Sequence, residues 1–415
     1  MQAPEQNRSL TPFFCVMALY YLASNFVHPV TPTLIVERGL DSALFGLALA
    51  AMMTTNFLFA PLWGRLCGYL PTRRILCAGC LGYAAGQVLF ACARTGAAVL
   101  AGRVLAGAFV GGVFTACYNY TVNVSGAVRR ARSLTILMTI QNACSAAGYL
   151  VGGLLGLVSV EFAFGVQCAA LVAAGVLFRL LCADDTPFKP RPDRPLALRD
   201  ADPFAAFAGA RRFMTPLLGL LFGAIALVSL GHHAYEQCFN YFLKDQYGLS
   251  SAWNGGVKAG VAAVTLLLNS TVCLWLQRRT DTNRSAPAVL AAALALTAAA
   301  LACGAMWPFL CIYVLYSGVY ALCLPLLQAL VVSRGADHSN AVMGFYQATT
   351  SLGGIFGSAL AGLLYGLWPR LPFVLAVTAW GGAVAVAWVY SAKQRKIWQN
   401  KTAPAPAHHE RRGGG

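Results

Sequence analysis

Charge is scarce in this chain, and negative charge is scarcest: 11% of residues are Asp, Glu, Lys or Arg, and 14 of the 415 are acidic. Soluble globular proteins carry about 25% charged residues. With 58% hydrophobic residues and a mean hydropathy of +0.62, a water-soluble fold is excluded and the chain belongs in a bilayer. No Gly-x-x-x-x-Gly-Lys-Ser/Thr run occurs, which excludes an ATP-driven engine of that kind within this sequence. Cysteines are plentiful, but paired spacings are not. Cys77-Ala78-Gly79-Cys80 is a CxxC without a second pair, and most thiols sit in apolar runs, where they read as small hydrophobic packing residues rather than zinc ligands, redox pairs or disulfides. The first apolar run is too long for a cleavable leader. No cofactor and no metal is expected.

Apolar length is what the chain has in abundance. Windows of about 20 apolar residues fall at 12–34, 42–63, 75–93, 97–120, 133–157, 162–182, 213–243, 251–276, 285–304, 309–333, 340–367 and 371–392, predicting twelve transmembrane helices. A net charge of +16 suits a nucleic-acid partner at first sight, but the placement of the charges argues against one. Twenty-four of the thirty Lys and Arg residues fall in the termini and alternate loops, while the opposite loops hold Arg38, Arg94, Lys244 and Arg370. The positive-inside rule then puts both termini in the cytoplasm of a cell whose cytoplasmic membrane holds the protein. Residues 183–212, proline-rich and of mixed charge, read as a cytoplasmic linker. The tail 393–415, basic and then Ala/Pro/Gly-rich, reads as disordered, with His408-His409 a solvated end and not a metal site.

The two halves echo each other. Gly248-Leu249-Ser250-Ser251-Ala252-Trp253-Asn254-Gly255 aligns with Gly39-Leu40-Asp41-Ser42-Ala43-Leu44-Phe45-Gly46 at an offset of 209, and Gln141, Ser145, Gly148, Leu154 and Gly156 recur as Gln347, Ser351, Gly354, Leu360 and Gly362 at 206. Half-to-half repeats are a hallmark of secondary transporters. The expected fold is an all-α membrane protein of twelve helices in two pseudo-symmetric six-helix halves, 1–182 and 213–392. A monomer moving a small molecule through the lipid bilayer is expected.

Several motifs then converge on one family. Pro29-Val30-Thr31-Pro32, Gly39-Leu40-x-Ser42 and the glycine-led basic loop Gly64-Arg65-Leu66-Cys67-Gly68-Tyr69-Leu70-Pro71-Thr72-Arg73-Arg74 resemble the start of a major facilitator superfamily protein, most similar to the drug:proton antiporters. The loop has Gly68 where the family pattern has Asp, so a charge lock there is not expected from this loop. Gly102-Arg103-Val104-Leu105-Ala106-Gly107 is similar to the family's Arg-x-x-x-Gly pattern. Gly148-Tyr149-Leu150-Val151-Gly152-Gly153 resembles the antiporter run Gly-Pro-x-x-Gly-Gly without its proline; as a stripe of small residues it reads first as a close-packing face. Ala234-Tyr235-Glu236 resembles the small-aromatic-Glu run of quinolone-type multidrug exporters, in which the carboxylate takes part in proton coupling. The acid that such relatives carry in the tenth span has no counterpart in Gly318–Pro325. The resemblance implies alternating access and proton-coupled efflux. An importing symporter, a facilitator and, from another class, a non-transporting receptor or scaffold remain open.

Polar residues inside the spans supply the candidate site. Glu236 is the lone acid in a span, and Lys258 and Arg103 are the span cations. Each charge at membrane depth costs about 2.5–3.5 kcal/mol on insertion scales. Glu236 lies eight residues before Lys244 and Lys258 eight after Ser250, so both sit about 12 Å below their helix ends, a depth that allows an ion pair. His28 maps onto Gln237 under the repeat, close to the same depth, and titrates near neutrality. Glu236, Lys258, Arg103 and His28 are the expected proton-coupling set. His232 and His233 are adjacent, so at most one is expected to face a central cavity, and His233 is assigned to it. With Asn25, Asn119, Gln141, Tyr316, Tyr320, Tyr346 and Gln347 it forms the expected substrate-binding set. The surplus of cationic groups favours anionic, zwitterionic or neutral ligands.

Overall fold

The computed structural model describes residues 10–125, 129–189, 202–273, 275–276, 280–334 and 339–402. All regular elements among these are helical: α1 (Thr11–Ser24), α2 (Thr31–Glu37), α3 (Ala43–Tyr69), α4 (Thr72–Cys92), α5 (Gly96–Val124), α6 (Arg130–Val158), α7 (Val160–Leu181), a short α8 (Ala205–Ala208), α9 (Pro216–Asp245), α10 (Ser251–Leu268), α11 (Thr282–Ala302), α12 (Met306–Arg334), α13 (Ser339–Leu367) and α14 (Leu371–Thr402), with minor 3-10 and π turns between them. Eleven are long and apolar enough to cross a membrane. The first crossing is the broken pair α1 and α2, which completes twelve. Apolar side chains such as Leu180, Leu367 and Trp388 are more than two-thirds exposed, an arrangement that only a lipid surround makes favourable.

The break in the first crossing follows from its sequence. Pro29 and Pro32 carry no backbone N–H, and residues 25–30 form turns between α1 and α2. Irregular backbone at membrane depth is tolerated where it is buried in protein or lines a cavity, and His28 in this turn lines one. Other helices start on side-chain caps that satisfy orphan N–H groups: Thr95 accepts from Ala98 N–H, Ser159 from Phe162 N–H and Thr215 from Leu218 N–H.

The repeat marker has a backbone cause. Among the described residues, Gly39 and Gly248 are those with left-handed φ, at 59° and 62°. Each turns the chain at the end of a helix: Leu40 N–H donates to the Ile35 carbonyl (3.1 Å) and Leu249 N–H to the Leu243 carbonyl (3.0 Å). A side chain in that region is strained, so the echoed glycine is a conformational requirement.

These two turns mark the far end of the bundle; the linker marks the other. Near the far end the halves meet at backbone distance. A Cβ on Gly46 of α3 would lie 2.3 Å from the Ser358 carbonyl of α13, and one on Gly255 of α10 would lie 2.4 Å from the Tyr149 carbonyl of α6. Ser251 Oγ also donates to the Gly153 carbonyl (2.9 Å). Phe45 stacks on Tyr241 at 4.7 Å, and Tyr365 Oη donates to Asp245 (2.7 Å), which closes this end over the interior.

One expectation is corrected and another is extended. The tail 393–415 was expected to be disordered, but α14 runs on to Thr402; residues 403–415 lie outside the described residues. No glycine or proline interrupts Ser391–Thr402, and its Lys, Gln and Arg residues are good helix formers. The loop 64–74 indeed lacks an acid, but the structure supplies one from elsewhere. Asp185, fully buried, accepts from Thr72 N–H (2.8 Å), Thr72 Oγ1 and Asn123 Nδ2 (2.9 Å) and pairs with Lys189 (3.2 Å). It ties the start of α4 to α5 and to the linker. Beside it, Asp184 takes Arg73 at 3.1 Å, and a hydrogen bond from Thr186 holds its carboxyl below the usual range.

Candidate functional site

The one acid within the spans sits at the meeting of several helices. On α9, Glu236 Oε1 accepts from Lys258 Nζ of α10 at 2.7 Å, and its Oε2 lies 3.1 Å from His232 Nε2, one turn earlier on the same helix. Lys258, 6% exposed, also donates to the Tyr313 hydroxyl of α12. His232 in turn shares a hydrogen bond through Nδ1 with Tyr316 Oη (3.2 Å) and stacks on Tyr320, centroids 3.4 Å apart. Both carboxylate oxygens and both imidazole nitrogens are therefore committed. A pair buried this deeply holds only if the mutual attraction and extra hydrogen bonds offset the desolvation of both ions.

Two cavities adjoin this network. One of about 180 Å³ lies toward the far end, lined by His28, Thr31, Arg103, His233, Glu236 and Asn240 among others. The second, about 500 Å³, lies toward the linker end and is lined by Asn142, Ser145, His232, Lys258, Tyr313 and Tyr320 among others. Glu236 and Tyr149 line both. The carboxylate thus stands in the septum between two spaces, within reach of solvent or ligand from either.

The expected residues divide into those the structure gathers and those it does not. Glu236, Lys258, His28, Arg103, His233 and Tyr320 all line one or both cavities. His28 stacks on Tyr149 at 5.6 Å. Arg103 is buried, donates to Thr31 Oγ1 (3.2 Å) and lies with its guanidinium carbon 4.0 Å above the Phe90 ring. Asn25, Asn119, Gln141, Tyr316, Tyr346 and Gln347 line neither cavity. Asn25 spends its amide on the Tyr21 carbonyl and Ser145 Oγ, binding α1 to α6. Asn119 donates to the Thr115 carbonyl of its own helix, and Gln141 accepts from Tyr118 Oη. Tyr316 is fully buried and acts on the site by holding His232. Tyr346 is buried and Gln347 exposed.

Some of the site was missed. The expectation that only one of the paired histidines meets a cavity assumed one cavity; with two, His232 faces one and His233 the other. The usable signal was spacing: His232 and His233 lie four and three residues before Glu236, so each falls on a face near the carboxylate, one to either side of it. Tyr149 was hidden inside a run read for its glycines. Asn240, one turn after Glu236, carried the same signal as His232.

Comparison with known proteins decides the family. A profile described as Major Facilitator Superfamily matches residues 13–336. The chain belongs to this superfamily. Among curated members it is 22% identical over 245 residues to the quinolone resistance protein NorA of Staphylococcus aureus (strain MSSA476), a match spanning 59% of this chain and 61% of that protein. It is 25% identical over 393 residues, 94% of each chain, to the class C tetracycline resistance protein of Escherichia coli. Among solved structures, a bacterial homologue of the human lysosomal transporter Spinster, in an inward-facing and unoccupied conformation, matches with TM-score 0.74 at 14% identity over 98% of this chain and 100% of that one. As a superfamily member the chain is a multi-pass membrane transporter, and a non-transporting scaffold no longer competes.

Proposed function

We propose that this transporter exports a small organic molecule across the cytoplasmic membrane in exchange for protons, with both termini and the linker on the cytoplasmic side, and with Glu236 as the group that carries the proton. The observation that carries the reading is the position of Glu236: the lone span acid, in the septum between the two cavities, held by a lysine and a histidine. With the charge pattern placing the linker end inside, the closed far end corresponds to an inward-facing state. Alternating access opens the far end and closes the other, and the accompanying shift of α9 against α10 and α12 separates the carboxylate from Lys258. A lone carboxylate in a low-dielectric site binds a proton; one paired with an ammonium releases it. Lys258, when freed, keeps Tyr313 as a partner.

A second reading is an uncoupled facilitator in which the same pair is structural. It is favoured by α12, which presents Tyr313, Ser317 and Tyr320 to the linker-end cavity and no acid. Substrate flux in proteoliposomes under an imposed pH gradient, run in both directions, separates the two. Uphill movement of a fluorescent substrate driven by the gradient and abolished by Glu236→Gln is expected; gradient-independent flux that survives Glu236→Gln would establish the facilitator.

A further inference from the structure

The proton-coupling reading leaves one buried charge unused. Arg103 is 4% exposed and, among the described residues, has no acidic side chain within ion-pair distance. Its contacts are weak for a guanidinium with five donors: the Thr31 hydroxyl, the Met52 sulfur at 3.7 Å and the Phe90 ring face. Its Nε–H has no partner. The only acid lining the adjoining cavity, Glu236, has both oxygens engaged by Lys258 and His232. Glu236 and Lys258 neutralise each other, so the far-end chamber carries one uncompensated positive charge. A buried ion of that kind is strongly unfavourable unless an opposite charge reaches it.

The chamber is equipped to receive such a charge. His233 Nδ1 and Asn240 Oδ1 are also buried without partners, and both residues line the space with His28 and Thr31. Exchanging N and O of the Asn240 amide turns its unpaired atom into a donor. About 180 Å³ compares with a cavity of roughly 150 Å³ that accommodates benzene, so the occupant is a small group and not a whole drug-sized molecule.

We propose that the far-end chamber is an anion site, in which a single monovalent, carboxylate-sized group binds the guanidinium of Arg103 with His233, Asn240 and Thr31 as supporting contacts. A carboxylate suits the fork of a guanidinium, which makes two parallel charge-assisted hydrogen bonds to it. The group arrives either as a free small anion or as the carboxylate of a larger substrate whose apolar part stays in the linker-end cavity, past Glu236 and Tyr149. The free-anion site does not rest on the proton-coupling reading or on transport direction; only the second source rests on the export reading.

The test uses the full chain in lipid nanodiscs, with thermal stabilisation read against titrations of acetate, nitrate, 3-phenylpropanoate and its neutral amide, for the unmodified protein, Arg103→Gln and Asn240→Leu. Saturable stabilisation by acetate and nitrate, weakened at least about tenfold in Arg103→Gln and less in Asn240→Leu, supports a free-anion site. Binding of 3-phenylpropanoate at least about tenfold tighter than acetate, with the same Arg103 dependence and no response to the amide, supports the substrate-carboxylate source. Where Arg103→Gln fails to fold, the Asn240→Leu shift carries the test. Equal stabilisation of the unmodified protein and these variants, a linear non-saturating salt response, or equal binding of amide and carboxylate would overturn the proposal. A failure of proton-driven flux leaves the free-anion site untouched and bears only on the substrate-carboxylate source.

Discussion

Removing Lys258 alone tests whether the buried pair is as finely balanced as its geometry implies. At 2.7 Å and an effective dielectric of about 20, the gross attraction is about 6 kcal/mol, set against a desolvation penalty of several kcal/mol for each ion. The pair therefore contributes little net stability while intact. Lys258→Met leaves the Glu236 carboxylate without its cation, at an expected cost of about 3–5 kcal/mol. Glu236→Gln combined with Lys258→Met removes both charges and recovers most of that loss, less about 1 kcal/mol for each of Tyr313 and His232, which lose hydrogen bonds. The carboxylate left in Lys258→Met can shed its charge by taking up a proton, so the deficit is larger at pH 8 than at pH 5.5, and any proton-driven transport that remains shifts to higher pH. Thermal unfolding in detergent at both pH values, for the three proteins, reads all of this. A single variant that costs under about 1 kcal/mol, or a double variant whose losses simply add, would mean that the two groups do not meet.

Four further outcomes follow from other parts of the molecule. Gly46→Val drives a side chain into the Ser358 carbonyl 2.3 Å away, so the far end opens, and a cysteine introduced at His28 is expected to react faster with a membrane-impermeant reagent from that side. Asp185→Ala strips the caps of Thr72 and Asn123 and costs about 1–3 kcal/mol, read as a lower unfolding midpoint, while Cys182 at the end of α7 becomes easier to alkylate. The depressed Asp184 carboxyl contributes stability that is complete above its unfolded value of about 3.9 and lost as pH falls through the lower folded value; hydrogen exchange at the Thr186 amide, corrected for its intrinsic rate, should quicken only below that pH. A cysteine at Pro192, which lies outside the described residues, is expected to resist labelling from outside intact cells, since the charge pattern puts the linker inside; rapid labelling would reverse the topology.

Much of the fold was legible because a bilayer reduces the choices. Long apolar runs must become helices there, since only intrasegment hydrogen bonds satisfy the backbone, and the glycine echo at residues 39 and 248 exposed the repeat directly. The pairing of Glu236 with Lys258 could be expected from depth alone. The lining of the cavities was less readable. Asn25 and Asn119 look alike as sequence, but whether an amide faces a cavity or a neighbouring carbonyl depends on helix rotation, which a few tenths of a turn decide. The linker's Asp185 was invisible for a different reason: its partners Thr72 and Asn123 are 113 and 62 residues away, and no periodicity links a loop acid to a helix start. The end of the last helix was not legible because a run of Lys, Arg and Gln suits a solvated tail and a helix equally well.

The arrangement of Glu236, Arg103 and the two histidines bears on why a single span acid can suffice. On the proposed proton-exchange reading, a carboxylate that lines both cavities would change the side it exchanges with as the two ends close alternately, while its separation from Lys258 would set when it holds the proton. His232 and His233, one residue apart, face opposite cavities, so each cavity has its own imidazole near the same carboxylate. An anion on Arg103 would add negative charge on one side of the septum only, and electrostatics then favour proton uptake at Glu236 when the far-end chamber is filled. Ligand occupancy and protonation would be thermodynamically coupled with no second acid, and the coupling must be reciprocal: acetate affinity in the chamber should rise as pH falls. That dependence should vanish in Glu236→Gln while acetate binding itself persists. An acetate affinity in the unmodified protein that is flat between pH 5.5 and 8 would separate the two sites energetically and leave the septum carboxylate to act alone.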